Sequence, residues 1–231
     1  MDSRLNDASL APELGPRKFK FTSRQGRDRR ARLLGAAREL LRETSPENIS
    51  FADVCQKAEI PRPSAYHFFP NIQAIFHGLR LLHAETLVDR ALELQDRQFD
   101  HWRNYLDALV DTARQVTLSD DAYPALIYGY GLDFVETREI GRDLDSRLAG
   151  LALQGMKQKF TLPDLPNLHE IFGIALAIID SIFRQSFRRQ GSISDEMAQE
   201  AKRAAAAYIQ LYIPEFSPPR KREIESESGE K

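Results

Sequence analysis

The chain of 231 residues lacks the features that mark several large classes of protein. Its single cysteine, Cys55, excludes an internal disulfide framework and a cysteine-based zinc cluster, and it fits a reducing compartment. The most apolar stretch, residues 171–179, falls far short of the roughly 20 residues that span a bilayer. Residues 1–16 lack the basic start and the apolar run of a signal peptide. We therefore expect a soluble, cytoplasmic protein that does not enter the membrane.

Signals for β-strands and for common enzymes are also missing. No segment keeps a period-two alternation of apolar residues, and no Asn-Gly or Asp-Gly hairpin turn occurs. The sequence has no nucleophile elbow, P-loop, dinucleotide fingerprint or catalytic triad, which argues against an enzyme. No His-x-x-x-His pair or carboxylate cluster predicts a metal site, and we expect no cofactor.

Charge is distributed unevenly along the chain, although the formal net charge is only −2. Residues 17–70 contain 12 Lys and Arg against 6 Asp and Glu, whereas residues 71–231 carry a net charge of −6. An acidic body repels DNA and directs docking toward a basic segment. This asymmetry is the first indication of function.

Apolar residues recur at helical spacing through most of the chain, between two polar tails at residues 1–23 and 217–231. Three helices are predicted first, at residues 27–43, 51–58 and 62–69. Proline, glycine and capping residues then delimit six more helices. These six are predicted at residues 71–97, 102–118, 120–130, 132–160, 168–190 and 194–213.

The first three helices have the lengths and the spacing of a helix-turn-helix, in which the last helix enters the major groove of DNA. Ser50 and Asp53 form the S-x-x-D pattern of a capping box before the second helix. Asn71 is a good N-cap for the fourth helix. The expected inward-facing apolar set is Phe51, Val54, Cys55, Ala58, Ile60, Ala65 and Phe69.

Residues 58–69, with the sequence AEIPRPSAYHFF, resemble the signature of TetR-type (TetR/AcrR) transcriptional repressors, roughly A-G-V-S-x-G-T-L-Y-x-H-F. Residues 33–41 and 51–55 resemble the first two helices of that family, and residues 75–76 match the start of its fourth. The resemblance implies an all-α fold of about nine helices. It divides the chain into a helix-turn-helix domain at residues 24–76 and a helical ligand-sensing and dimerisation domain at residues 77–216.

The resemblance also implies seven DNA-contacting residues. Arginine can bind guanine through two hydrogen bonds, and histidine can donate or accept one. The candidates for base edges are Arg62, Ser64 and His67. The candidates for phosphate contacts are Ser50, Lys57, Tyr66 and Asn71. Structural alternatives remain open for three of them: a half-buried strut between helices for Tyr66, a solvent-facing spectator for His67 and a solvated face for Lys57.

Four positions depart from the family pattern. Glu59 replaces the usual glycine of the turn, so the turn is either less left-handed or strained. Pro61 and Pro63 stiffen the start of the third helix and remove two backbone donors. Ile72 stands where the family often has a lysine that contacts a phosphate, so the first N–H groups of the fourth helix would have to substitute.

A basic arm precedes the helix-turn-helix and has two possible roles. It could follow phosphates or enter the minor groove, or it could be a solvated tail. The arm consists of Arg17, Lys18, Lys20, Arg24, Arg27, Arg29 and Arg30.

The last two predicted helices, 168–190 and 194–213, suggest self-association. The first is apolar around most of its circumference, so both of its sides must be covered, and the second is rich in alanine. The resemblance implies that they form a four-helix homodimer interface, which would place two recognition helices about 34–36 Å apart on double-stranded DNA. An ordinary monomer core is the alternative.

The leading hypothesis is a dimeric repressor that binds a palindromic operator and is released by a small apolar or amphipathic ligand. The middle helices are rich in aromatic residues, in the region where the family usually encloses an inducer, but no residue can be assigned to a ligand. The alternative is a DNA-binding regulator without an inducer, controlled by a protein partner or by abundance.

Overall fold

The computed structural model describes residues 24–129 and 138–220, with side chains from residue 144 onward in the second range. Within these ranges the chain forms nine α-helices and no strand, so the predicted all-α class is confirmed. The helices are α1 (Arg24–Glu43), α2 (Phe51–Lys57), α3 (Arg62–Ala65), α4 (Ile72–Glu93), α5 (Trp102–Leu118), α6 (Ala122–Tyr128), α7 (Arg138–Lys159), α8 (Leu168–Gln190) and α9 (Asp195–Gln210).

Local capping residues account for several helix ends. The side chains of Ser50, Asn71 and Ser194 accept hydrogen bonds from backbone N–H groups at the starts of α2, α4 and α9. Gly191 ends α8 in the left-handed conformation, with φ +70°. Helices α5 and α8 have the predicted bounds.

Helix α3 is shorter than predicted. It ends at Ala65, and the chain continues in tight turns in which the N–H groups of Phe68 and Phe69 both donate to the Ala65 carbonyl. Both phenylalanines are thereby buried, and Pro70 disfavours a helical conformation for the residue before it. The predicted start of a helix at residue 132, the arm before residue 24 and the tail after residue 220 lie outside the described residues.

Two apolar clusters form the core. The first joins α1, α2, α3 and the first half of α4 to Ala122, Tyr123 and Leu126 of α6, and we call this unit the head. The second joins α5, α7, α8 and α9, and we call it the body. The domain boundary proposed at residues 76 and 77 therefore falls within the continuous helix α4, whose Leu79 and Leu82 still belong to the cluster of the head.

The segment after α9 packs on the body. The indole N–H of Trp102 contacts the Pro214 carbonyl at 3.1 Å, and the Thr161 N–H donates to the Pro218 carbonyl at 3.0 Å. The Arg220 N–H donates to the Lys159 carbonyl at 2.7 Å. Pro218 and Arg220, where the sequence predicts the beginning of the tail, thus form backbone hydrogen bonds with Thr161 and with the last residue of α7.

An ion-pair cluster joins the head to the body. Asp120, between α5 and α6, is 7% exposed. It accepts two hydrogen bonds from Arg42 of α1, at 2.8 and 2.7 Å, and one from Arg38. Burial alone would raise the pKa of Asp120, but hydrogen bonds from Arg42, the Ala122 N–H and Arg38 outweigh it and lower the pKa to about 2.

Candidate nucleic-acid interface

The turn between α2 and α3 contains a strained residue. Glu59 has φ +52°, and it is the only non-glycine residue with positive φ in the described ranges. This settles the alternative posed by the sequence: the turn is left-handed although its residue is not glycine. The Ile60 N–H then donates to the Cys55 carbonyl at 3.0 Å, and the Ile60 side chain is buried in the head.

Arg32 of α1 binds this turn through its guanidinium group. Its guanidinium donates to the carbonyl oxygen of Ala58, the residue that follows α2. It also approaches the Glu59 carbonyl oxygen at 3.4 Å. It also lies 3.9 Å from the Glu59 carboxylate. A basic residue at the C-terminal end of a helix satisfies carbonyls that lack helical partners. The hydrogen bonds thus fix the turn, and with it the direction of α3, against α1.

Two of the three residues predicted to contact bases are exposed on α3 and on the turn that follows it. Arg62 and His67 are exposed, whereas Ser64 is half-buried. The Arg62 guanidinium forms no hydrogen bond or ion pair within the described residues. Its two parallel donors are therefore available for a base edge or a phosphate.

Tyr66 lies beside them in a defined orientation. Its ring stacks on Phe51 of α2, with centroids 4.7 Å apart and an interplanar angle of 22°, yet the residue remains 52% exposed. The strut role and the phosphate role posed by the sequence are compatible here, because one face of the ring packs on α2 while the rest is open to solvent.

The remaining phosphate candidates each have a partner inside the head. The Ser50 hydroxyl donates to the Asp53 carboxylate at 2.6 Å, and hydrogen bonds from Ser50 lower the pKa of Asp53. The Asn71 carbonyl oxygen accepts from the Ala74 N–H at 2.8 Å, which leaves its amide donors for a phosphate. Both residues thus define where a helix begins.

Lys57 lies between two carboxylates of α1. Its ammonium group is 3.5 Å from Glu39 and 3.4 Å from Glu43. A phosphate would have to compete with both of them for this charge. Ile72, at the position where the family often has a lysine, packs against the apolar cluster of the head and offers no cation.

Part of the basic arm is helical. Arg24, Arg27 and Arg29 lie in the first two turns of α1, and Arg30 in the same segment is buried at 7% exposure. Burial lowers the pKa of Arg30, with a further contribution from the positive charge of Arg27. The possible DNA contacts of residues 17–20 lie outside the described residues.

Two further kinds of feature are absent from the described part of the chain. No group of three His, Cys, Asp or Glu side chains in it could hold a metal ion. None of its helices is long and apolar enough to cross a membrane.

A comparison of the sequence with models of protein families agrees with the helix-turn-helix geometry of the head. Residues 33–79 match the family model described as bacterial regulatory proteins, tetR family. The head is a TetR-type DNA-binding domain. The matched segment of this TetR-type domain contains all seven predicted DNA-contacting residues, and the resemblance identified in the sequence is confirmed.

Solved structures extend the likeness to the rest of the fold. A TetR-family regulator from Streptomyces coelicolor is 23% identical, with a TM-score of 0.61 over 80% of this chain and 99% of that chain. A TetR-family regulator from Syntrophomonas wolfei is 15% identical, with a TM-score of 0.63 over 81% and 96%. A TetR variant from Acinetobacter baumannii in complex with minocycline is 18% identical, with a TM-score of 0.51 over 78% and 96%. No curated protein matches the sequence.

Sequence reasoning missed three features that shape this domain. They are the Arg32 contact with the turn, the stack of Phe51 on Tyr66, and the pairing of Arg38 and Arg42 with Asp120. The first and last join residues 26 or more positions apart, so no local spacing could have identified them.

Proposed function

We propose that this chain is a transcriptional repressor that binds a palindromic operator as a homodimer and is released by a small apolar or amphipathic ligand. We propose a binding protein and not an enzyme, acting in the cytoplasm. The observation that carries the DNA-binding part is the exposure of Arg62 on α3 and of Tyr66 and His67 in the turn that follows it; within the described residues Arg62 forms no hydrogen bond or ion pair.

The two groups of site residues have different tasks in this proposal. Arg62, Ser64 and His67 contact base edges and give sequence preference. The phosphate contacts fix the position and orientation of the protein on the duplex. They are made by Ser50, Lys57, Tyr66 and Asn71. Because most of this second group is also held inside the head, the phosphate contacts start from a rigid frame, which reduces the entropy lost on binding.

Apolar exposure on α8 and after α9 supports the homodimer. Ile174 is 48% exposed and Leu211 is 74% exposed. A four-residue loop joins the two helices, so they run antiparallel, and both residues lie about equally far from that loop along the chain. They therefore mark one end of a common surface that a second copy would cover.

A route for ligand control exists in the link between head and body. Asp120 sits at the end of α5 and binds two arginines of α1, so a change in the packing of α5 and α6 is transmitted to α1. A ligand that binds the body better in its DNA-free conformation then shifts the population away from DNA. The minocycline complex of the similar Acinetobacter protein supports a ligand in this fold.

Binding to the DNA upstream of the chain's own gene tests the proposal. Purified full-length protein should give a salt-sensitive complex with two subunits, or a multiple of two, in anisotropy and mass measurements. Arg62→Ala should weaken specific binding by about 1–3 kcal/mol and leave binding to random duplex nearly unchanged. Arg147→Ala, which removes an exposed arginine of α7 outside the head and the two proposed dimer helices, is the matched control and should bind as the wild type.

Equal affinity for the upstream and random duplexes at physiological salt would refute the proposal that the protein is a sequence-specific repressor. Thermal-shift screening against small molecules separates ligand release from control by a protein partner, because only a ligand raises the melting temperature of the isolated protein.

A further inference from the structure

We propose that a cleft between the head and the body binds a small amphipathic anion, held by Arg97. The inference deepens the proposed function by giving its ligand a place and a charge, and its regulatory part rests on that function. The cleft has a volume of about 720 Å³. It is lined by residues of α1, α4, α5 and α6 and of the turns that follow α4 and α5.

The charged groups of this junction cleft are mainly positive. Three arginines line it, against the single carboxylate of Glu93. Glu93 is occupied by Arg90, at 3.0 Å from both of its oxygens, and Arg38 is occupied by Asp120. These pairs leave one lining cation, Arg97, that has no ion-pair partner within the described residues.

Arg97 has the properties of an anion ligand. Within the described residues its guanidinium forms no hydrogen bond and no ion pair, and it lies 5.4 Å from the centre of the Phe99 ring. The ring face favours a cation at this place without using its donors. The five N–H donors of Arg97 are therefore free to bind a carboxylate or phosphate.

The lower part of the cleft suits an uncharged, partly apolar group. Leu94, Val116 and Tyr123 are buried at its floor, each at 6% exposure or less. Thr112 and Gln115 of α5 line the wall and have no side-chain hydrogen-bond partner in the described part of the chain. A ligand with one anionic end and an apolar end thus meets complementary groups at both ends.

The cleft adjoins the link to the DNA-binding domain. Arg38 lines it, lies 5.6 Å from the centre of the Tyr123 ring and pairs with Asp120. An anion in the cleft competes with Asp120 for Arg38, and it stabilises a different position of α1 on α6. This is the differential interaction with two states that a ligand needs in order to change DNA affinity.

Titration of the full-length protein without DNA tests the site. The probe is 1-anilinonaphthalene-8-sulfonate, a fluorescent aromatic anion, with octanoate and octanol as charged and neutral competitors. We expect the probe to bind and octanoate to displace it more strongly than octanol. Arg97→Gln should weaken the binding of both anions, the probe and octanoate, about tenfold, which corresponds to the loss of one charge-assisted hydrogen bond. Arg189→Gln removes an exposed arginine outside the cleft and should change nothing.

No binding of the probe, displacement by octanol as strong as by octanoate, or equal affinities of wild type and Arg97→Gln would each overturn the proposal. Circular dichroism establishes that the exposed substitution leaves the fold intact. Because DNA is absent, a failure of this experiment leaves the DNA-binding function untouched, and a protein that fails to bind DNA can still pass it.

Discussion

At the scale of single residues, Glu59 shows how the recognition turn is held in an unfavourable conformation. A non-glycine residue in the left-handed region costs about 1–2 kcal/mol, because its Cβ approaches the following carbonyl. The hydrogen bonds of Arg32 to the turn and the burial of Ile60 offset this cost. The strain is local, so replacing the residue should release it without moving α3.

We expect Glu59→Gly to stabilise the protein by about 0.5–1 kcal/mol in urea unfolding. Glycine removes the steric cost, while the entropy of the unfolded chain rises and reduces the gain. The lost ion pair to Arg32 is exposed and contributes little. Glu47→Gly is the control: Glu47 is exposed and does not have positive φ, so glycine should destabilise there. A less stable Glu59→Gly variant would contradict the assignment of strain.

At the scale of helices and turns, local residues predicted most of what was found. The bounds of α5 and α8 follow from capping residues, proline and Gly191, which act within a few positions of the helix end. Helix α3 was predicted too long because its apolar spacing continues through Phe69, while the burial of Phe68 and Phe69 together requires a turn. The C-terminal end of α3 therefore depends on tertiary packing, which local sequence patterns do not reveal.

The seven candidate DNA contacts come from a sequence pattern, and the family match covers all seven positions, but their contacts with DNA stay a prediction. The partners of these residues inside the head were not all predicted, because the pairing of Lys57 with Glu39 and Glu43 depends on how α2 crosses α1. Local sequence therefore indicates which positions are candidates, and it does not indicate which carboxylates compete for their charges.

The Asp120 cluster gives a prediction for the contact between α1 and the body. The pKa of Asp120 is about 2, below its ordinary value of 3.8. Its stabilisation is therefore complete above pH 4 and is lost as the pH falls through 2. Asp120→Asn should cost about 2–4 kcal/mol at pH 7, since the shift alone corresponds to about 2 kcal/mol and two arginines lose their partner.

The measurement is the free energy of urea unfolding between pH 7 and pH 2. Wild type should lose more stability between pH 4 and pH 2 than Asp120→Asn, which lacks the titrating group. Asp164→Asn, in the exposed loop between α7 and α8, is the control and should follow the wild-type profile. Parallel pH profiles for wild type and Asp120→Asn would show that the cluster does not link folding to pH.

At the scale of the whole molecule, the separation of charge fits a protein that meets DNA through one end. Residues 17–70 carry a net charge of +6, and residues 71–231 carry −6. The acidic body disfavours contact with phosphates, while the basic segment attracts them. One head covers a single major groove, so a palindromic operator requires two chains.

The surface for the second chain should include Ile174 on α8. Residues Ile174, Ile178, Ser181 and Gln185 follow one another at helical spacing on one side of α8, and neither isoleucine packs against the apolar cluster of the body. An isolated apolar residue on a surface has no special meaning. Ile174 and Ile178 lie one turn apart on this side of α8, and together with the exposed Leu211 after α9 they form a candidate apolar contact for another chain.

Ile174→Glu should therefore convert the dimer to a monomer at micromolar concentration in sedimentation measurements, because two buried and unpaired carboxylates would face each other across the two-fold axis. Leu92→Glu is the matched control: Leu92 is 40% exposed on α4, away from this surface, and its replacement should leave the dimer intact. Both variants should keep the helical circular dichroism of the wild type, because each changes an exposed position.

Dimers of unchanged stability in Ile174→Glu would place the subunit contact elsewhere. Loss of operator binding in the same variant, with a folded head, would show that both recognition helices are needed for affinity.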